Sequence, residues 1–299
     1  MQGHSHFPSE NREDFEIMKF AMYAGFSKKV IENGIEDAAK YALQLGFSSV
    51  EFLANSFCEE KTPILDLASA KMAREVLDQY QLPVACYSVF SNLWKNPDGE
   101  KYLMKQVEIA AALGAPYLHH TLLPWISLPE DAPGYGEAIE ETVKAAARIA
   151  DYANTFGITC IYEDQGYYVN GVEGFKGFWD KMKERCENIG ICGDLGNILF
   201  VNEKPQDFLA AYIKDICHVH VKDYLWKKSD TSPGRYWTEA KDNSWLRDTM
   251  IGDGVIDFEI CMNILKNAGY QGYFSLENTH PEPYEEGVQQ AMECLQRYW

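Results

Sequence analysis

Apolar side chains along this chain recur in two rhythms, and the frequent switching between them is what most restricts the fold. A short β-branched run gives way to a longer segment with helical spacing, a glycine follows, and the pair repeats. Lys19 to Ala24 predicts a first strand and Ile35 to Leu45 a helix stopped by Gly46; Ser49 to Leu53 and Ile64 to Tyr80 make the second pair. Leu82 to Ser88 precedes Pro97-Asp98-Gly99 and a helix to Leu113, ended by Gly114 at the usual stop position. Tyr117 to His120 is the fourth strand, followed by a long Ala- and Glu-rich helix from Gly136 to Phe156. Ile158 to Glu163, Gly190 to Asp194, Ile216 to Val221 and Gly272 to Glu277 read as strands five to eight, with helices near Phe175 to Cys186, Gln206 to Ile213, Asp257 to Ala268 and Pro283 to Arg297.

Eight such units in about 280 residues fit a closed (β/α)8 barrel, which takes roughly 250 residues. An open doubly wound sheet is the alternative. No GxGxxG follows the first strand, however, so neither that fold nor a nucleotide cofactor is expected. No linker rich in Pro, Gly or Ser divides the chain, and one α/β domain, a TIM barrel over residues 17–299, is expected, with a long irregular loop at 224–250. Residues 1–16 are polar and read as an extension outside the core, without the apolar centre of a signal peptide.

Charge narrows the partners. Against 45 acidic residues stand 27 basic ones, a formal charge of −18 that repels a phosphate backbone and argues against nucleic acid. No apolar run is long enough to span a bilayer. Eight cysteines without a CxxC pair, several of them in expected core strands (Cys86, Cys160, Cys192), point to reduced thiols and a cytoplasmic location. A small carbohydrate is the partner most easily reconciled with this surface.

The run Cys217-His218-Val219-His220-Val221-Lys222-Asp223 alternates imidazole with apolar side chains, so His218 and His220 share one face of a strand. In a parallel barrel all strand C-termini meet at one mouth, which brings His220 together with Glu163, Asp194 and Glu277. Three carboxylates and one imidazole make an oxygen-rich site suited to Mn2+, Mg2+ or Co2+. Taken singly, each carboxylate is as readily a rim salt bridge or a helix cap.

These residues resemble the sugar phosphate isomerases and epimerases of the xylose isomerase-like barrel, which include ketose 3-epimerases and inosose dehydratases. Gly252-Asp253-Gly254-Val255-Ile256-Asp257, then Gly269-Tyr270-Gln271-Gly272 and Glu277, is similar to that family's closing motif. The resemblance implies a divalent metal, usually Mn2+, held by Glu163, Asp194, His220 and Glu277. It also implies proton abstraction next to a carbonyl through a metal-stabilised enediolate, with Glu163 and Glu277 as base and acid. Returning the proton gives isomerisation or epimerisation; expelling a β-leaving group gives a lyase or dehydratase. Asn197, Trp226 and Val169 stand where the ketose 3-epimerases carry histidine, arginine and glutamate, which removes much of that subgroup's sugar clamp.

Substrate-binding candidates are His120, Glu51, Asn197, Lys222, Trp226 and Trp125. One of His119 and His120 faces the mouth, because strand neighbours point to opposite sides. Lys222 offers a cation near the metal, or a rim salt bridge with Asp223. Trp226 lies in the long loop and Trp125 in the loop after the fourth strand, with Trp94 as a further stacking ring; aromatic rings suit the apolar faces of sugars. A homo-oligomer is also expected from the resemblance. Two other classes remain: the apurinic endonuclease branch of the superfamily, disfavoured by charge, and a barrel that has lost catalysis and serves as a binding subunit.

Overall fold

The computed structural model describes residues 18–54, 62–277 and 283–299 of the 299-residue chain. The proposed extension at residues 1–16 lies outside the described residues. Eight parallel strands close on themselves: β1 (Lys19–Met22), β2 (Ser49–Leu53), β3 (Val84–Val89), β4 (Tyr117–His120), β5 (Thr159–Tyr162), β6 (Ile189–Asp194), β7 (Ile216–Val221) and β11 (Tyr273–Leu276). β1 pairs with both β2 and β11, so the open-sheet alternative is excluded. Helices between the strands complete a single (β/α)8 barrel, and no helix among the described residues is long and apolar enough to cross a membrane.

Alternation within each strand sorts the side chains. On β2, Val50 and Phe52 face the helices, where Phe52 meets Phe26 edge-on at 5.1 Å, while Glu51 faces inward. Burying such a ring stabilises by about 1.5–3 kcal/mol, which lets the outer face offset a polar inner one. Around the outside, α6 (Val172–Lys183) packs Phe175 against Phe208 and Tyr212 of α7 (Pro205–Tyr212). Inside, Cys86, Ile161 and Cys192 form an apolar plug.

Two elements depart from the expectation. α1 (Ala24–Asn33) precedes α2 (Ile35–Gln44), and the chain turns between them at Gly34, where φ is 87°. Only Phe26, Ser27 and Val30 of α1 are buried, too short an apolar stripe to stand out in sequence. The second departure is the stretch expected as an irregular loop. It contains β8 (Asp223–Lys228), β9 (Thr238–Ala240) and β10 (Ser244–Thr249), an antiparallel sheet in the order β8-β10-β9. One face of it, Tyr224, Ala240 and Leu246, packs on Leu199 and Phe200 after β6. So small a buried face leaves Lys227 and Lys228 exposed and masks the strand rhythm.

Asp223 ties this sheet to the closing motif. Its Oδ1 accepts backbone N–H groups from Tyr224 and Ile256, and its Oδ2 accepts those of Gly252 and Gly254. A Cβ on Gly254 would lie 2.0 Å from Asp223 Oδ1 and 2.5 Å from the Tyr224 carbonyl, so only glycine lets the loop approach. Asp257 then caps α8 (Phe258–Asn267) by accepting from the Ile260 N–H.

Candidate active site

The barrel mouth is lined by a continuous polar network rooted at Glu51, a fully buried carboxylate. Its Oε2 accepts from His218 Nε2 at 2.8 Å and from Ser275 Oγ; its Oε1 accepts from His220 Nε2 at 3.0 Å and from Ser88 Oγ. Ser88 Oγ also lies 3.0 Å from His119 Nδ1, and His119 Nε2 is 3.5 Å from Glu163 Oε1. Burial pushes the Glu51 carboxyl up, but His220 and His218 outweigh it and hold Glu51 well below the usual range.

An ionised Glu51 only accepts, so the Nε2 atom of His220 must carry a proton. Its Nδ1 is thereby turned toward the carboxylates at the neighbouring strand ends. Glu163 Oε2 is 3.2 Å from that nitrogen, Asp194 Oδ2 3.8 Å and Glu277 Oε2 4.0 Å. Tyr23, at the end of β1, stacks on the other side of the ring at 4.9 Å and limits its rotation. Asp194 is fixed by the backbone N–H groups of Gly196 and Asn197, both on Oδ1, which leaves Oδ2 facing the cluster.

Asp194, His220 and Glu277 each offer a ligand atom within 4.8 Å of the others, and Glu163 lies 3.2 Å from the same His220 nitrogen, a donor set whose oxygen-rich chemistry fits a divalent cation. They come from β5, β6, β7 and β11, neighbours around the wall, with Glu163 and Glu277 at the two ends of the arc. Asp194 is fully buried, whereas the Glu277 side chain is 24% exposed, so the cluster opens to solvent on the Glu277 side. Burial lowers the His220 imidazole, but Cys192, Glu51 and Glu163 outweigh it and hold His220 well above the usual value. Burial lifts Glu277, with Lys222 opposing and Asp194 adding; Glu163 is lowered because His119 and His220 overcome its burial.

Lys222 does not pair with Asp223, as the sequence allowed. Its Nζ lies 2.7 Å from Glu277 Oε2, 3.0 Å from Asp194 Oδ2 and 3.2 Å from Asn197 Oδ1. Glu51, Asn197 and Lys222 are therefore gathered with the four expected ligands, Glu51 as a support beneath His220.

Other expected residues fall elsewhere. His120 points away from the cluster: its ring meets Tyr162 edge-on at 5.3 Å, its Nδ1 lies 3.3 Å from the Thr121 carbonyl, and burial lowers it to about 4. His119 is the member of the pair that faces inward, as β4 alternation requires. Trp226 sits on β8, 45% exposed and paired in register with Leu246. Trp125 joins Trp94 at 6.5 Å and Tyr168 at 6.2 Å, an aromatic wall built from the loops after β3, β4 and β5.

Sequence reasoning passed over Ser88, Ser275, Tyr23 and Asp164. Ser275 carries a usable signal, two residues before Glu277 on the same strand face. Asp164 carries none: it is buried beside Glu163, neither oxygen has a hydrogen-bond partner among the described residues, and burial with Asp194 and Glu163 pushes its pKa up.

Comparison with known proteins agrees with the barrel fold. The chain is 35% identical over 91 residues to inosose dehydratase 1 of Bacillus cereus, a match spanning 30% of each chain. D-allulose 3-epimerase from Methylomonas sp. superposes with a TM-score of 0.70 at 18% identity, covering 95% of this chain and 99% of that one. A xylose isomerase-like protein from Mycobacterium smegmatis in complex with magnesium gives 0.68 at 16% identity, covering 94% and 96%. At such identities the two structures speak for the fold alone. The family model for the xylose isomerase-like TIM barrel matches residues 39–298, and the chain belongs to that family.

Proposed function

We propose that the chain is a divalent-metal-dependent isomerase or epimerase of a sugar, keto-sugar or cyclitol, with Glu163, Asp194, His220 and Glu277 holding Mn2+, Mg2+ or Co2+. The observation that carries this reading is the convergence of three carboxylate oxygens on the Nδ1 of one histidine, whose other nitrogen is committed to Glu51. When bound, the cation supplies positive charge to the oxygens flanking the reacting carbon and so acidifies the C–H bond. Glu163 and Glu277 approach from the two ends of the ligand arc, one to remove the proton and the other to return it. Glu51 and Tyr23 hold the His220 ring in place, and the buried Nδ2 of Asn197, which has no hydrogen-bond partner among the described residues, is available to donate to a substrate oxygen. The wall of Trp94, Trp125 and Tyr168 offers stacking surface for a sugar ring. The cysteines among the described residues are free thiols, most of them buried, which accords with a cytoplasmic setting.

A dehydratase acting on an inosose or an oxidised glycoside is the second reading, favoured by the sequence match to inosose dehydratases. It shares the proton abstraction and differs in expelling a β-leaving group. Elemental analysis of the purified wild type, His220→Ala and Glu277→Gln tests the common core. Near-stoichiometric metal in the wild type and its loss in both variants is expected, followed by solvent deuterium entering a ketose or inosose at the abstracted position. A wild type that neither holds nor gains metal refutes the proposal.

A further inference from the structure

The two oxygens that Lys222 binds are the same two that a metal at His220 would need. Its ammonium lies 3.0 Å from Asp194 Oδ2 and 2.7 Å from Glu277 Oε2, the atoms that stand 3.8 and 4.0 Å from His220 Nδ1. Among the described residues, no other lysine or arginine pairs with either carboxylate. The side chain is also seated to do this. A Cβ on Gly196 would fall 2.4 Å from the Lys222 Cγ and 2.8 Å from its Cδ, so the stem runs directly over that glycine. Asn197 Oδ1, 3.2 Å from Nζ, offers a third acceptor outside the ligand set.

Three carboxylates packed around one space repel one another unless positive charge lies among them. An ammonium with three donors satisfies two carboxylates and one amide at once. A dication on the same two oxygens would stand close to the ammonium, and their repulsion favours withdrawal of the lysine head.

We infer that Lys222 is a tethered cation that closes the acid cluster when no metal is bound, and that a divalent ion enters by displacing its ammonium from Asp194 and Glu277 toward Asn197. The inference rests on the metal reading proposed above. It makes Lys222 a positioning residue for Asp194 and Glu277, with metal affinity and metal-free stability coupled through one side chain.

The test compares wild type and Lys222→Met after chelation, by calorimetric titration with MnCl2 and by thermal unfolding with and without saturating Mn2+. Methionine keeps much of the stem over Gly196 and removes the charge. The variant is expected to bind Mn2+ about tenfold more tightly, since the ion no longer competes with a bound cation. Its metal-free midpoint should fall below that of the wild type, and the gap should close when Mn2+ saturates both. Unchanged affinity overturns the inference, whatever the midpoint does. Tighter binding with an unchanged metal-free midpoint overturns it too, because that is repulsion at a distance without a closing role. If the Met variant does not fold without metal, Lys222→Gln, which keeps a polar head for the carboxylates, carries the same titration. A wild type that binds no Mn2+ defeats the metal reading itself, whereas equal binding by both proteins defeats only the role of Lys222.

Discussion

Lowering the pH from 7 to 5 should destabilise this barrel through His120, and the effect separates a core histidine from a substrate contact. The imidazole is enclosed by Tyr162 and the Thr121 backbone, and burial brings it down to about 4 in the folded chain, against about 6.5 when unfolded. Between those two values the unfolded chain binds more protons, so stability rises with pH through that window and is lost as the pH falls. With these values, linkage gives about 2 kcal/mol lost between pH 7 and pH 5, and at most about 3.4 kcal/mol at the acid limit. His120→Phe keeps an aromatic ring against Tyr162 and removes the titration. Urea unfolding of both proteins at pH 7 and pH 5 would measure it. Carboxylates titrate equally in the two chains, so the variant should lose about 2 kcal/mol less than the wild type over this range. Parallel losses would show that His120 is solvated or paired, and the placement argued here would be wrong.

Other perturbations follow from the same geometry. Glu51→Gln leaves one of two imidazole N–H groups facing an amide donor, and Mn2+ affinity measured by calorimetry should fall about 10- to 100-fold; an unchanged affinity in a folded variant would detach Glu51 from His220. Asp223→Asn turns an amide toward two of the four backbone N–H groups it now accepts, and should cost about 2–4 kcal/mol in urea unfolding, an effect below about 1 kcal/mol contradicting the assignment. Gly254→Ala places a methyl 2.0 Å from the same carboxylate and should give a similar loss. Because both changes act on one loop, the double variant should lose less than the sum of the two.

Much of the barrel is legible along the chain because its determinants are local. Period-two alternation, glycine stops and the spacing of the units are properties of short segments, and they located the strands that form the wall. Alternation also put His218 and His220 on one face, and both do bond Glu51 from inside the barrel. The strand-end positions of Glu163, Asp194 and Glu277 needed only the parallel direction of the strands to be read as neighbours. The β8-β10-β9 sheet was lost for the opposite reason: its order comes from a small patch on Leu199 and Phe200, which no repeat within the segment records.

What the tertiary structure alone decided are the partnerships across the barrel. Glu51 and His218 are 167 positions apart, and only closure and register bring the β2 carboxylate beneath the β7 imidazoles. Register likewise set Ser88 beside His119, turning that histidine inward and His120 toward the helices. Lys222 had an acid at the next position in sequence, yet four backbone N–H groups claim Asp223, and the ammonium crosses to Asp194 and Glu277 instead. A sequence declares which side chains share a strand face; which of them meet depends on how many residues each strand is shifted against the next, and that is set by packing of the whole wall.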